Sequence, residues 1–132
     1  MIVYDMPFAD YQAAEGLNCS AFKNLVKSPA HLKSYLAAPR KQTPAMLFGR
    51  IVHDMTLEPF KPAFWTVIPD YLDMRSKAGK AWKTEVLLAG LEPITREVEE
   101  TARGCANAAM SHPYMREALA NSKTAVSIFS ER

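Results

Sequence analysis

With 132 residues and a mass of 14.7 kDa, the chain is long enough for one compact domain that buries about 68% of its unfolded surface, and too short for a second full domain. Apolar residues make up 48% and charged residues 23%, a globular balance that excludes wholesale disorder and fibrous repeats. The formal net charge of +2 is unevenly spread. Eleven basic residues stand against four acidic ones between Ser20 and Lys83, and acid gathers at Asp5, Asp10 and Glu15 and again at Glu92, Glu97, Glu99 and Glu100. A basic stretch of this kind suits a phosphate backbone.

The first twenty residues carry no Lys or Arg, the reverse of a secretory signal's basic start. The longest apolar run, Val86 to Leu91, falls far short of the roughly 18 residues a membrane span needs. Both features lead to the expectation of a cytoplasmic chain with no membrane partner. Cys19 and Cys105 form neither a disulfide framework nor a metal-ligand spacing, and are expected as buried, reduced thiols.

In chain order, Asn18 caps a short helix from Cys19 to Lys27. Ser28-Pro29 and Thr43-Pro44 each read as an N-cap followed by proline at the first helical position. They open helices over 29–38, with Leu32, Tyr35 and Leu36 on one face, and over 44–57, with Leu47, Ile51, Met55 and Glu58 at helical spacing. Pro59 closes the second. Phe64 to Ile68 is aromatic and β-branched between Pro62 and Pro69 and reads as a strand, and Pro69-Asp70 reads as a turn. A helix follows over 76–89, with Trp82 and Leu88 as its apolar residues, weakened in its first turn by Gly79.

Thr95 opens a long helix with Val98, Ala102, Cys105 and Ala109 on one stripe and acid near its positive end. His112-Pro113 breaks it, a short helix runs from Pro113 to Ala120, and Ala125 to Phe129 is strand-like. The fold class expected is α+β, mainly helical with short strands, in a single domain over residues 1–132.

His53 is the candidate site residue, beside Asp54 and one turn after Gly49 and Arg50. Gly49 inside a helix predicts close approach of a backbone or ligand. No Gly-x-Gly-x-x-Gly, Walker-type loop, Gly-x-Ser-x-Gly elbow or Cys-x-x-Cys pair is present, which removes the nucleotide, serine-hydrolase and thiol-redox classes that depend on them.

Six blocks in order carry a resemblance: Leu17-Asn18-Cys19-Ser20, Lys27-Ser28-Pro29-Ala30-His31, Thr43 through His53, Leu57-Glu58-Pro59, Arg75-Ser76-Lys77-Ala78-Gly79-Lys80 and Ser111-His112-Pro113. Together they cover nearly the whole chain and resemble the N-terminal part of the exonuclease VIII (RecE-type) nuclease domain of phages and prophages, a PD-(D/E)xK enzyme. The resemblance implies a magnesium-dependent exodeoxyribonuclease that digests duplex DNA from a 5′ end for single-strand annealing recombination.

It assigns His53 to the catalytic site beside the metal; the basic positions Lys27, Lys33, Arg50, Lys77 and Lys80, from the Ser20 to Lys83 stretch, are the candidates for DNA binding. The partners implied are double-stranded DNA, a single-strand annealing protein and a second copy of the chain. It also places the family's metal-binding Asp and its Asp/Glu-x-Lys tripeptide downstream of the strand that matches Ala125 to Phe129. None of the fourteen acidic residues here is followed two positions later by Lys, and Ala125 stands where the family commonly has Glu. The alternative is a non-catalytic DNA-binding or protein-interaction module built on the same pattern.

Overall fold

The computed structural model describes residues 1–14, 16–38, 42–124 and 126–128, apart from the side chains of Phe8, Ala9 and Gln12. It is an α+β fold dominated by helices. In order, the described elements are β1 (Ile2–Tyr4), α1 (Phe8–Ala13), α2 (Cys19–Lys27), α3 (Pro29–Ala37), α4 (Pro44–Leu57), β2 (Trp65–Val67), α5 (Lys77–Leu88), β3 (Glu92–Ile94), α6 (Arg96–Ser111), α7 (Pro113–Ala120) and β4 (Val126–Ile128). Contacts divide them into two compact units, one formed by residues 1–43 and 125–132 and the other by residues 44–124. Ala125, Phe129, Arg40 and Lys41, part of the expected strand and basic stretch, lie outside the described residues.

In the first unit, β1 and β4 pair antiparallel with Val3 opposite Ser127, and α2 packs on α3. The helix starts follow from their caps. Asn18 accepts the Ala21 amide at 2.8 Å. Ser28 accepts the His31 amide at 3.2 Å, and its hydroxyl lies 2.7 Å from His31 Nδ1. Ala21 is the buried contact of α2, and α3 half-buries Leu32 and Tyr35 while leaving Leu36 exposed.

The second unit holds the larger core. Ile51 of α4, Ile94 of β3 and Ala102 of α6 are buried together, with Leu47, Phe48, Met55, Phe64, Trp65 and Val67 packed around them. β2 and β3 are parallel, Trp65 opposite Glu92 and Val67 opposite Ile94. The Glu92 amide donates to the Phe64 carbonyl and the Ile68 amide to the Ile94 carbonyl, both at 2.8 Å. In that register residues 92 and 94 turn their polar groups toward β2, and residue 93 turns its own away. Proline is therefore tolerated at 93, where no ladder donor is required.

Gly90 adopts a positive φ of 75° and ends α5. The Gly90 amide donates to the Leu87 carbonyl at 3.0 Å and the Leu91 amide to the Val86 carbonyl at 3.1 Å, the bond pair of a Schellman stop. Leu91 is thereby delivered into β3. Pro69-Asp70 does form a turn, closed by the Leu72 amide on the Pro69 carbonyl at 3.0 Å. Asp70 is held by Arg96, whose Nη2 and Nε donate to its carboxylate at 2.8 and 3.2 Å. That hydrogen bond, with the carboxylate charge, raises the Arg96 pKa above the usual arginine value.

Three sequence expectations are corrected. Both cysteines are exposed. Cys105 lies on the far side of Ala102 from Ala106, roughly 60° around the helix from Ala102 at 3.6 residues per turn, and the buried face of α6 is centred on Ala102 and Ala106. Cys19 opens α2 at its solvent side. Among the described residues nothing lies within 4 Å of where a Gly49 side chain would begin, so no backbone approaches it closely; the crowded glycine is Gly79, whose Cβ would meet the backbone of Asp73 and Met74. Leu88, placed in the apolar pattern of α5, is 84% exposed; Val86 is buried in the same helix.

Candidate functional site

α4 turns Leu47, Ile51 and Met55 toward the core, and its final turn carries His53 and Asp54 at the rim. Glu58 follows one turn after Asp54, its amide still bonded to the Asp54 carbonyl at 3.0 Å. The i, i+4 spacing puts both carboxylates on one face. Each of the three side chains offers a ligand atom, and these atoms lie within 4.8 Å of one another. His53 Nδ1 is 3.4 Å from Asp54 Oδ1, with the imidazole half exposed and the carboxylate largely covered.

Glu58 is the most enclosed of the three, 11% exposed. Its Oε1 is buried without a well-formed hydrogen bond, and its charge is offset by the Lys61 ammonium, with which it forms an ion pair.

Asp54 and Glu58 open onto a cleft of about 230 Å³ between the end of α4, the 59–63 loop, Trp65 of β2 and α6. α6 contributes Arg103, Ala106 and Asn107 to its lining. Arg103 donates to Glu99 at 3.0 Å across one helical turn. The cleft thus presents two carboxylates, an ammonium, a guanidinium and an amide around an indole and two prolines. Asp54 and Glu58 at the cleft, with the His53 imidazole beside them, are the kind of oxygen-rich donor set that a divalent cation such as Mg²⁺ or Mn²⁺ accepts. Lys61 already lies against the buried Glu58 oxygen, which leaves Asp54, His53 and the second Glu58 oxygen to a metal.

Of the residues assigned by sequence, His53 stands in this cluster. Arg50 lies one turn earlier on α4 with its guanidinium carbon 3.7 Å from the centroid of the Phe64 ring, a cation–π contact. Phe64 in turn meets Trp65 edge to face at 5.1 Å. Lys77 and Lys80 are exposed in the first turn of α5, within the same unit, and Lys27 and Lys33 are exposed on α2 and α3 of the first unit. Sequence reasoning left out Asp54 and Glu58 as site members, although their spacing beside His53 was a usable signal. Arg103 and Trp65 reach the cleft from distant elements and carry no local signal.

No protein-family model, curated protein or solved structure matches this chain. Among the described residues no helix is long and apolar enough to cross a membrane.

Proposed function

We propose that these 132 residues are the N-terminal, DNA-holding part of a RecE-like PD-(D/E)xK exodeoxyribonuclease domain, inactive as a nuclease by themselves. The observation that carries this reading is the grouping of His53, Asp54 and Glu58 at a cleft that also holds Lys61 and Arg103, an arrangement of metal donors beside phosphate-sized cationic groups. The ordered sequence blocks that resemble the exonuclease VIII family support it, as does the basic stretch from Ser20 to Lys83.

A divalent ion would be held by Asp54 and Glu58 with His53, and would supply Lewis-acid activation for phosphodiester hydrolysis. Asp54 and Glu58 with His53 fit one oxygen-coordinated ion. The Asp and the Asp/Glu-x-Lys tripeptide on which the family relies have no counterpart among the fourteen acidic residues of this sequence. Cleavage accordingly requires ligands beyond those three.

The test is duplex binding by fluorescence anisotropy across a salt series, with a parallel digestion assay in magnesium and manganese. Log affinity should fall linearly with log salt, at about 0.9 per phosphate neutralised. Replacing Lys27, Lys33, Lys77 and Lys80 by Gln should flatten that slope. Arg50 is spared in this variant because it packs on Phe64. No binding, an unchanged slope, or chelator-sensitive digestion by the purified chain would each overturn the reading.

A further inference from the structure

Tyr71 is the most exposed large apolar side chain among the described residues, at 89%, yet the backbone on either side of it is fixed. Before it, Asp70 is gripped by the Arg96 guanidinium at 2.8 to 3.2 Å. After it, Leu72 closes the turn onto Pro69. Asp73 then accepts the Arg75 amide on its side chain at 2.9 Å, and its carbonyl accepts the Ser76 hydroxyl at 2.6 Å. The Gly79 amide completes the lattice on Ser76 Oγ at 3.0 Å. The turn thus holds the backbone that carries the phenol ring, and the ring itself is offered to solvent.

The chain that follows Tyr71 is rich in cations. Arg75, Lys77, Lys80 and Lys83 are all exposed. The first turn of α5 contains no acid, although cations at a helix N-terminus oppose the dipole and cost a few tenths of a kcal/mol. Helix stability therefore does not account for Lys77 and Lys80. Asp70 is paired with Arg96, while Asp73 accepts the Arg75 amide and keeps its charge.

An exposed aromatic followed along the chain by exposed cations matches the chemistry of single-stranded nucleic acid, in which phosphates meet charge and an unpaired base stacks on the ring. Inside a duplex both faces of each base are already covered by its neighbours. We infer that Tyr71 is a stacking platform for the first unpaired base at a DNA end, so that this face selects duplexes bearing a single-stranded extension over blunt ones. This rests on the DNA-binding reading above and names the form of DNA that the chain takes.

The experiment compares blunt and overhang duplexes of equal phosphate count, the overhang carrying 2-aminopurine at its first unpaired position. The protein should bind the overhang about tenfold more tightly than the blunt duplex, the scale of one base–aromatic stack, and 2-aminopurine fluorescence should be quenched. Tyr71→Ala should abolish the preference and the quenching, leave blunt-duplex affinity unchanged, and melt with the wild type because the ring is solvent-exposed. Tyr71→Trp and Tyr71→Phe should retain both signals. Equal wild-type affinity for the two duplexes, a preference that survives Tyr71→Ala, or loss of preference in Tyr71→Phe would overturn the stacking role while duplex binding stands. Failure to bind either duplex would overturn both readings.

Discussion

The sharpest test of the second unit is a pair of identical substitutions with opposite outcomes, Gly79→Ala and Gly104→Ala. In a helix interior Ala is favoured over Gly by up to about 1 kcal/mol. At Gly104, in the middle of α6, nothing lies within 4 Å of the added Cβ, so that gain should appear nearly undiminished. At Gly79 the Cβ would stand 2.7 Å from Met74 Cα and 2.9 Å from the Asp73 carbonyl carbon, and closer still to the Asp73 oxygen. Carbon atoms pack best at about 3.5 to 4.0 Å, and every atom in the way is backbone, so no rotamer change can relieve the overlap.

The 73–76 turn must then move, at a cost of about 1 to 3 kcal/mol for an overpacked site. Movement also loosens the Ser76 cap on the Gly79 amide, worth about 1 kcal/mol. Set against the propensity gain, Gly79→Ala should lose about 1 to 3 kcal/mol, and Gly104→Ala should gain up to about 1. Urea melts at one pH, with the slope checked for constancy, read both values from the unit that contains both glycines. A Gly79→Ala variant as stable as Gly104→Ala would show that the 73–76 turn does not pack on α5, and would remove the rigid mounting argued for Tyr71.

The two thiols should both react with a disulfide reagent in the native protein, without denaturant, because Cys19 and Cys105 are exposed; one or both appearing only on unfolding would contradict the placement of α2 or of the α6 face. His53→Ala should change stability by no more than about 0.5 kcal/mol, as for other surface sites. Ile51→Ala, two residues earlier and fully buried, should cost about 2 to 5 kcal/mol, and comparable losses at the two positions would refute the outward placement of the imidazole.

What could be read from sequence was local. The caps at Asn18, Ser28, Ser76 and Thr95 each accept the amide three residues on, and this depends on neighbours within one turn. Helix 19–27 accordingly begins at its cap, and helix 44–57 begins at Pro44 and ends before Pro59. Strand pairing depends on segments far apart in the chain. β1 finds its partner 126 positions along from Ile2 to Ile128, and nothing in Ile2–Tyr4 announces it. β3 was missed for a different reason: three residues with a central proline carry no strand pattern, and only the register with β2 reveals that Pro93 faces away from the ladder. The error at Cys105 was one of phase, since a stripe drawn through Val98 and Ala109 leaves the direction of the α4 contact undetermined within a quarter turn.

The cleft depends on this packing more than on any single site residue. Ala102 and Ala106 are the buried contacts of α6, and small side chains let two helices approach closely. Arg103 and Asn107 each follow one of these alanines in sequence, so the approach that buries the alanines also brings the polar pair to the cleft beside Asp54 and Glu58. On α4 the same coupling holds: Ile51, wholly buried, lies three residues before Asp54 and fixes the rotation of the helix about its axis. The acidic pair therefore has its direction set by an apolar contact one turn away. A rigid helix with one face in the core and the next turn at the rim positions ligands better than a loop would, and the thin core of a small unit suffices because two helices and two short strands converge on a single isoleucine.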